Sequence, residues 1–204
     1  MSYSNKLNNY QSDCKVLLSE EYSKANKNFS EYIKDFSTHV IGHGLDLGVG
    51  PGSPNGKYFP NCKLDGCDID YNVLDSITSE YYQSFIYTLG SKETLPYTAE
   101  SLDFLICSCV IQHVNSSDEL ESGFSEIFRV LKKAGLFYLM FKCGTHDTLL
   151  THTNSYYNEE RSFRVFCPAV VEKILTQIGF FVYEREIFMD SNWIPYCRIV
   201  AVKE

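Results

Sequence analysis

The chain has 204 residues, with 26 acidic against 18 basic side chains for a net charge of −8 and 44% hydrophobic residues, an ordinary globular composition. A chain of this length buries roughly 70% of the surface its unfolded form exposes, which suits one domain with its own core and excludes disorder. The longest uninterrupted apolar run, Leu136 to Phe141, is far short of the about 20 residues that span a bilayer, and Met1 to Lys15 is polar, so membrane and secretory readings fall away.

In chain order, Leu18, Tyr22, Ala25, Phe29, Tyr32 or Ile33, and Phe36 recur at steps of three and four, predicting an amphipathic helix over 12–37. The period then changes. Leu45-Asp46-Leu47 reads as a short strand that runs into Gly48-Val49-Gly50-Pro51-Gly52, a turn whose glycines permit backbone angles closed to other residues. Leu64 to Asp70 reads as a second strand, Asn72 to Tyr81 as a helix, and Ser84 to Leu89 as a third strand. Leu102 to Ile111 is almost wholly apolar, as a strand buried on both faces of a parallel sheet should be. Cys107 and Cys109 alternate along it and are expected on one face, as small buried hydrophobes rather than reactive thiols.

Ser116 to Glu119 fits a capping box, with Leu120, Phe124, Ile127 and Leu131 at helical spacing behind it, predicting a helix over 117–133 that ends before Gly135. Leu136 to Lys142 is a fifth strand. Pro168 opens a last helix that Gly179 closes, and Phe180 to Phe188 with Ile194 to Val202 form two final strands. With no crossover helix between them, these two must lie antiparallel. The fold class is therefore α/β: a doubly wound, mostly parallel seven-stranded sheet, helices on both faces, and a C-terminal antiparallel hairpin.

The eight cysteines contain no C-x-x-C pair and no histidine partner at zinc-finger spacing, so no metal site is expected and reduced thiols point to the cytoplasm. Residues 61–129 carry twelve acids and three bases. Such a segment repels a phosphate backbone, so nucleic acid is not the expected partner.

In a doubly wound sheet a ligand sits beyond the carboxyl ends of the strands, at the switch point that the first glycine turn borders. Asp68, ending the second strand, is placed to accept both hydroxyls of a ribose, so a nucleoside is the expected ligand. Glycines at 48, 50 and 52, with Ser53 following, miss the G-x-G-x-x-G dinucleotide fingerprint, and no P-loop is present.

The run Leu45 to Gly52 resembles the first motif of class I S-adenosylmethionine-dependent methyltransferases. Gly66 to Asp70 is similar to their acidic second motif, and Leu95-Pro96-Tyr97 through Leu102-Asp103-Phe104 to the stretch before their fourth strand. Gln112-His113-Val114 and Arg129 to Gly135 complete an ordered set over 45–141, which is similar to a type 11 methyltransferase domain. The resemblance implies S-adenosyl-L-methionine as cofactor and S-adenosyl-L-homocysteine as product. By position it implies that Asp46, Gly48, Val49, Gly50 and Gly52 meet the methionine part, Asp68 the ribose, and Ile69 the adenine. Ser91 and Lys92 stand where the family often has an Asp-Ala pair beside the adenine, and Cys109 would face the methionine end.

One domain over 1–204 follows. It divides into a helical cap over 1–38, a cofactor-binding core over 39–142, a substrate lid over 143–167, and the last helix and hairpin over 168–204. Methyl transfer needs an aligned nucleophile and, where that is protonated, a base. His113, just after the fourth strand, is the best-placed base, with a capping or packing role as the alternative. His146 is a second candidate from the lid. The lid, a connection of about 25 residues, holds Tyr156, Tyr157, Arg161 and Arg164; either arginine could pair with an anionic group of the acceptor or with nearby acids. The expected function is methyl transfer to an oxygen or nitrogen of a small soluble metabolite by a monomer or homodimer. The alternative is a methyltransferase-like protein without turnover that works through a partner.

Overall fold

The computed structural model describes residues 27–51, 55–76, 81–91, 93–153, 160–190 and 195–204. The first described helix, α1 (Lys27–Ser37), carries Phe29, Tyr32, Ile33 and Phe36 along one stripe, as its spacing predicted; the predicted part over 12–26 lies outside the described residues. Strands β1 (Gly42–Leu47), β2 (Cys62–Asp68), β3 (Ser84–Ile86), β4 (Leu102–Ser108) and β5 (Leu131–Lys142) pair parallel. Between them lie α2 (Tyr71–Ser76) and α3 (Ser117–Val130). After β5 come β6 (Thr148–Thr153), β7 (Glu160–Val165), α4 (Pro168–Ile178), β8 (Phe180–Met189) and β9 (Pro195–Lys203).

The main sheet has seven strands in the order β3-β2-β1-β4-β5-β9-β8. β9 runs antiparallel to both β5 and β8, so the final pair completes the sheet as expected. Strand order reverses between β1 and β4, which sets the switch point at the carboxyl ends of those two strands.

The sheet separates two cores. On one face α3 and α4 bury Leu120, Phe124, Ile127, Val171 and Leu175 against Leu45, Leu105, Phe137 and Ile199. On the other, α1 buries Ile33 and Phe36 against Phe104, Tyr138 and Met140. Phe104 is the hinge of this second core: its ring stacks on Phe59 at 5.4 Å and meets Phe36 edge-on at 6.3 Å. A Cβ at Gly44 would stand 2.3 Å from the Phe104 ring, so β1 needs a glycine there to let the ring lie against the strand.

Helix ends obey local chemistry. Ser116 accepts from the Glu119 backbone N–H at 3.2 Å, and the Glu119 carboxylate reaches back to the Asn115 N–H at 2.9 Å, a capping box displaced by one residue. Gly179 closes α4 in the left-handed conformation, φ 118°. Helix α3 stops at Val130 rather than residue 133, because Leu131 already pairs with Leu102 of β4. The buried Lys203 of β9 donates to the carbonyls of Phe128 and Leu131, both at 2.8 Å, and so satisfies orphaned acceptors at that helix end.

Three further boundaries differ. β2 ends at Asp68, two residues early, since Asp70 caps α2 by accepting from the Asn72 N–H at 2.9 Å. β3 covers only three of the six residues expected. β4 stops at Ser108, and Cys109 takes φ 60°, a left-handed angle that turns the chain. For that reason Cys107 and Cys109 do not share a face: Cys107 is buried in the α3/α4 core, and Cys109 packs with the α1 core.

The long connection after β5 is also not irregular. β6 and β7 form a two-stranded antiparallel ribbon, Thr148 opposite Val165 through Thr153 opposite Glu160. It is tied to the main sheet where Cys143 bridges Phe166.

Candidate active site

The carboxyl ends of β1, β2, β4 and β5 converge on one region, and each strand delivers residues to it. After β1 the chain turns at once: Gly48 and Gly50 have φ of 77° and 71°, which glycine reaches without strain. Gly48 and Val49 both donate to the Cys67 carbonyl, at 2.8 and 3.1 Å, closing the turn onto β2. A Cβ on Gly48 would stand 2.3 Å from Val110 Cγ2, so the turn lies directly under the segment that leaves β4.

Asp68 is buried at the end of β2. One of its oxygens accepts from the Gly50 N–H at 3.0 Å and the other from the Asp70 N–H at 3.1 Å. These bonds fix the carboxylate plane at the lip of the glycine turn, and carboxylate oxygens each accept more than one donor. Val49 contributes backbone rather than side chain, because its side chain is buried against Leu74 and Tyr81. Ile69 follows, half-buried.

Asp46 is fully buried behind the turn. Asn55 Nδ2 donates to both of its oxygens, at 3.2 and 3.1 Å, and the Tyr81 hydroxyl donates at 2.6 Å. Burial still pushes the carboxyl up to about 6, against the opposing pull of the Tyr81 and Asn55 bonds. Asn55 and Tyr81 were not among the residues singled out from sequence. The signal that could have found them is the need of a buried acid for donors.

Ser91 lies in the turn after β3, its hydroxyl accepting from the Glu93 N–H at 3.3 Å. Cys109 donates its N–H to the Met140 carbonyl at 2.8 Å, and burial pushes its thiol up to about 11. His113 ends a short 3-10 turn (Ile111–His113) and is half-buried at the rim. His146 is exposed and bonded to Thr145 Oγ1 at 3.0 Å. Arg164 of β7 donates to the Asn115 carbonyl at 2.6 Å, which ties the ribbon to the segment after His113. Gly52, Lys92, Tyr156 and Tyr157 lie outside the described residues, as does the Arg161 side chain.

Two of the sequence motifs are physically joined. Arg129 pairs with Glu126 at 2.6 Å and donates to the Tyr97 carbonyl at 2.9 Å, and Glu126 accepts from the Leu95 N–H at 2.7 Å. The arginine motif on α3 thus staples the Leu95-Pro96-Tyr97 segment.

The donor set fits a nucleoside with an amino-acid tail. It has a left-handed glycine turn that side chains could not occupy and a buried carboxylate at its lip for a diol. Residues 45–139 match the family model described as "Methyltransferase domain", and over that span the chain is similar to S-adenosylmethionine-dependent methyltransferases. S-adenosylmethionine is the cofactor of that class, and when bound it supplies an activated methyl group.

Among individual proteins, the chain is 32% identical over 94 residues to a "tRNA (carboxymethyluridine(34)-5-O)-methyltransferase" of Arabidopsis thaliana, covering 45% of this chain and 22% of that protein. It is 25% identical over 175 residues to a "Sterol 24-C-methyltransferase" of Clavispora lusitaniae, covering 74% of this chain and 44% of the relative. The chain thus spans less than half the length of the curated relatives it matches. The crystal structure of an S-adenosylmethionine-dependent methyltransferase from Clostridium acetobutylicum superposes with a TM-score of 0.70 at 13% identity, covering 95% of this chain and 98% of the other, and so shares the fold.

Proposed function

We propose that this protein transfers the methyl group of S-adenosylmethionine to an oxygen or nitrogen of a small acceptor that binds beneath the β6–β7 ribbon. The observation that carries the reading is the Gly50 N–H on the Asp68 carboxylate: it couples the turn that would cradle the methionine part to the acid that would hold the ribose. Gly48, Val49 and Gly50 line the methionine side with Asp46 buried behind them, and Ile69 and Ser91 the adenine side. Cys109 closes the end nearest the acceptor.

The chain's own work is alignment and, for a protonated acceptor, proton removal. His113 is the residue we assign to the proton. It sits at the rim, next to the segment that Arg164 ties to the ribbon. His146, exposed on the far side of the β5–β6 turn, is left to the mouth of the lid. A small acceptor is favoured over a nucleic acid because residues 61–129, which build much of the site, carry twelve acids against three bases. The described cysteines are all free thiols, which supports a reducing compartment. Among the described residues no helix is long and apolar enough to cross a membrane.

The test is calorimetric titration with S-adenosylmethionine, S-adenosylhomocysteine and NAD, on the wild type and on Asp68→Ala. The first two are expected to bind and NAD to be silent, and losing two charge-assisted bonds should weaken binding about 100-fold. Wild-type protein that binds neither adenosyl ligand would overturn the reading.

A further inference from the structure

Lys142 is the last residue of β5 and was not among the candidate site residues. Its surroundings are unusual for a lysine. The Nζ lies 3.8 Å from the centre of the Phe163 ring on β7, and among the described residues only longer-range charge interactions, with no side-chain hydrogen bond, act on it. The strand around it is held on every side: Lys142 registers with Tyr196 of β9, its carbonyl accepts from the Phe166 N–H at 3.4 Å, and Cys143 donates to the Pro195 carbonyl at 2.9 Å. The titratable groups that act on its ammonium are the Cys109 thiol and the Asp190 carboxylate. A half-buried ammonium resting on a ring, with no hydrogen-bonded oxygen among the described residues, is incompletely compensated by them. Burial accordingly lowers its proton affinity.

Its place in the sheet says what would complete it. In the order β2-β1-β4-β5, Lys142 stands three strands from Asp68, roughly 14 Å at the usual strand spacing. It is therefore on the half of the carboxyl edge that the nucleoside does not occupy. It lies beside Cys109, and the β6–β7 ribbon covers it through Phe163.

We propose that Lys142 binds an anionic oxygen of the methyl acceptor, and that this oxygen, of a carboxylate or a phenolate, is the atom methylated. This rests on the methyltransferase reading above. The acceptor oxygen supplies the electron pair of the new C–O bond while the C–S bond breaks with its pair kept by sulfur. One negative and one positive charge are consumed, and no proton has to leave. Lys142 then serves to desolvate and orient the oxygen in its ionised form, and His113 is not needed for an acceptor of this class.

The experiment measures binding of benzoate, ionised 4-nitrophenol and uncharged benzamide by calorimetry, each in the presence of saturating S-adenosylhomocysteine. The proteins are the wild type, Lys142→Met and Lys142→Arg. At least one of the two anions is expected to bind the wild type and benzamide to bind more weakly; whichever anion wins distinguishes carboxylate from phenolate acceptors. Lys142→Met should weaken that anion about 10- to 100-fold, and Lys142→Arg, which keeps the charge, should retain most of it. Affinity for S-adenosylhomocysteine should be the same in all three. Loss of that affinity in Lys142→Met would mean the lysine holds the cofactor's carboxylate, and would overturn the proposal while sparing the methyltransferase reading. Equal binding of anion and amide, no binding of either anion to the wild type, or an unaffected Lys142→Met would overturn it too. Failure of the wild type to bind S-adenosylhomocysteine would refute the methyltransferase reading instead.

Discussion

Replacing Asp46 with Asn should make the ligand-free protein more stable at neutral pH. The carboxyl is fully buried and raised from an ordinary 3.8 to about 6, and each tenfold change in proton affinity is worth 1.36 kcal/mol, so the ionised group costs the fold about 3 kcal/mol. Because the folded group holds its proton more tightly than the unfolded one, this penalty is fully present above about pH 6 and fades as pH falls toward 3.8. Asparagine removes the charge, but it offers one oxygen to the donors on Asn55 and Tyr81 where aspartate offers two, a loss of about 1 kcal/mol. The net gain near pH 7.5 is about 2 kcal/mol, or about 4–8 °C in Tm for a chain of this size. Thermal unfolding followed by circular dichroism at pH 7.5 and about pH 4.5 checks it, with both proteins in the same buffers so that every other titration cancels. The gap should close near the lower pH, where the remaining penalty and the lost bond are about equal. A variant less stable than the wild type at pH 7.5, or a gap independent of pH, would refute the reasoning. The same variant should bind S-adenosylhomocysteine about tenfold more weakly, since the turn it supports loses its charged anchor.

Gly48→Ala should destabilise by about 1–3 kcal/mol, because the new methyl meets Val110 and the left-handed angle suits no alanine; chemical denaturation measures this. It should also abolish detectable binding of S-adenosylhomocysteine in the same calorimeter. Lys203→Met should cost about 1–3 kcal/mol by orphaning the carbonyls of Phe128 and Leu131. It lies at the opposite end of the sheet, so ligand affinity per folded molecule should stay as in the wild type.

Much of this was legible in the sequence because period and punctuation agreed. The apolar run of β4, the capping box before α3, the Pro168 and Gly179 brackets of α4 and the 27–37 part of the α1 stripe each had one local cause, and each element starts or runs where that cause placed it, although β4 and α3 end three residues early. The β6–β7 ribbon was missed since neither strand has a clean alternation: Leu149 and Leu150 are adjacent and both exposed. The threonines at 148, 151 and 153 were the available hint. Asp46 and Asp68 could be found from their place after strands, but their partners could not. Asn55 and Tyr81 come from segments 9 and 35 residues away from Asp46, a distance over which spacing carries no information. Lys142 was hidden for the opposite reason: it reads as the polar end of a strand, and only the ribbon folded over it makes the charge notable.

The place of β9 between β5 and β8 has a consequence for how the molecule assembles. During synthesis β8 emerges before β9, yet among the described residues β9 is its only partner in the sheet. Until β9 is delivered, β5 presents an open edge and β8 is a ten-residue strand without the neighbour it pairs with in the finished sheet. The parallel half, with α1 to α3, can form first, and one late insertion then seals both edges and brings Lys203 to the end of α3. Refolding is therefore expected to populate an intermediate prone to self-association, which an excess of a peptide with the sequence of β9 should suppress.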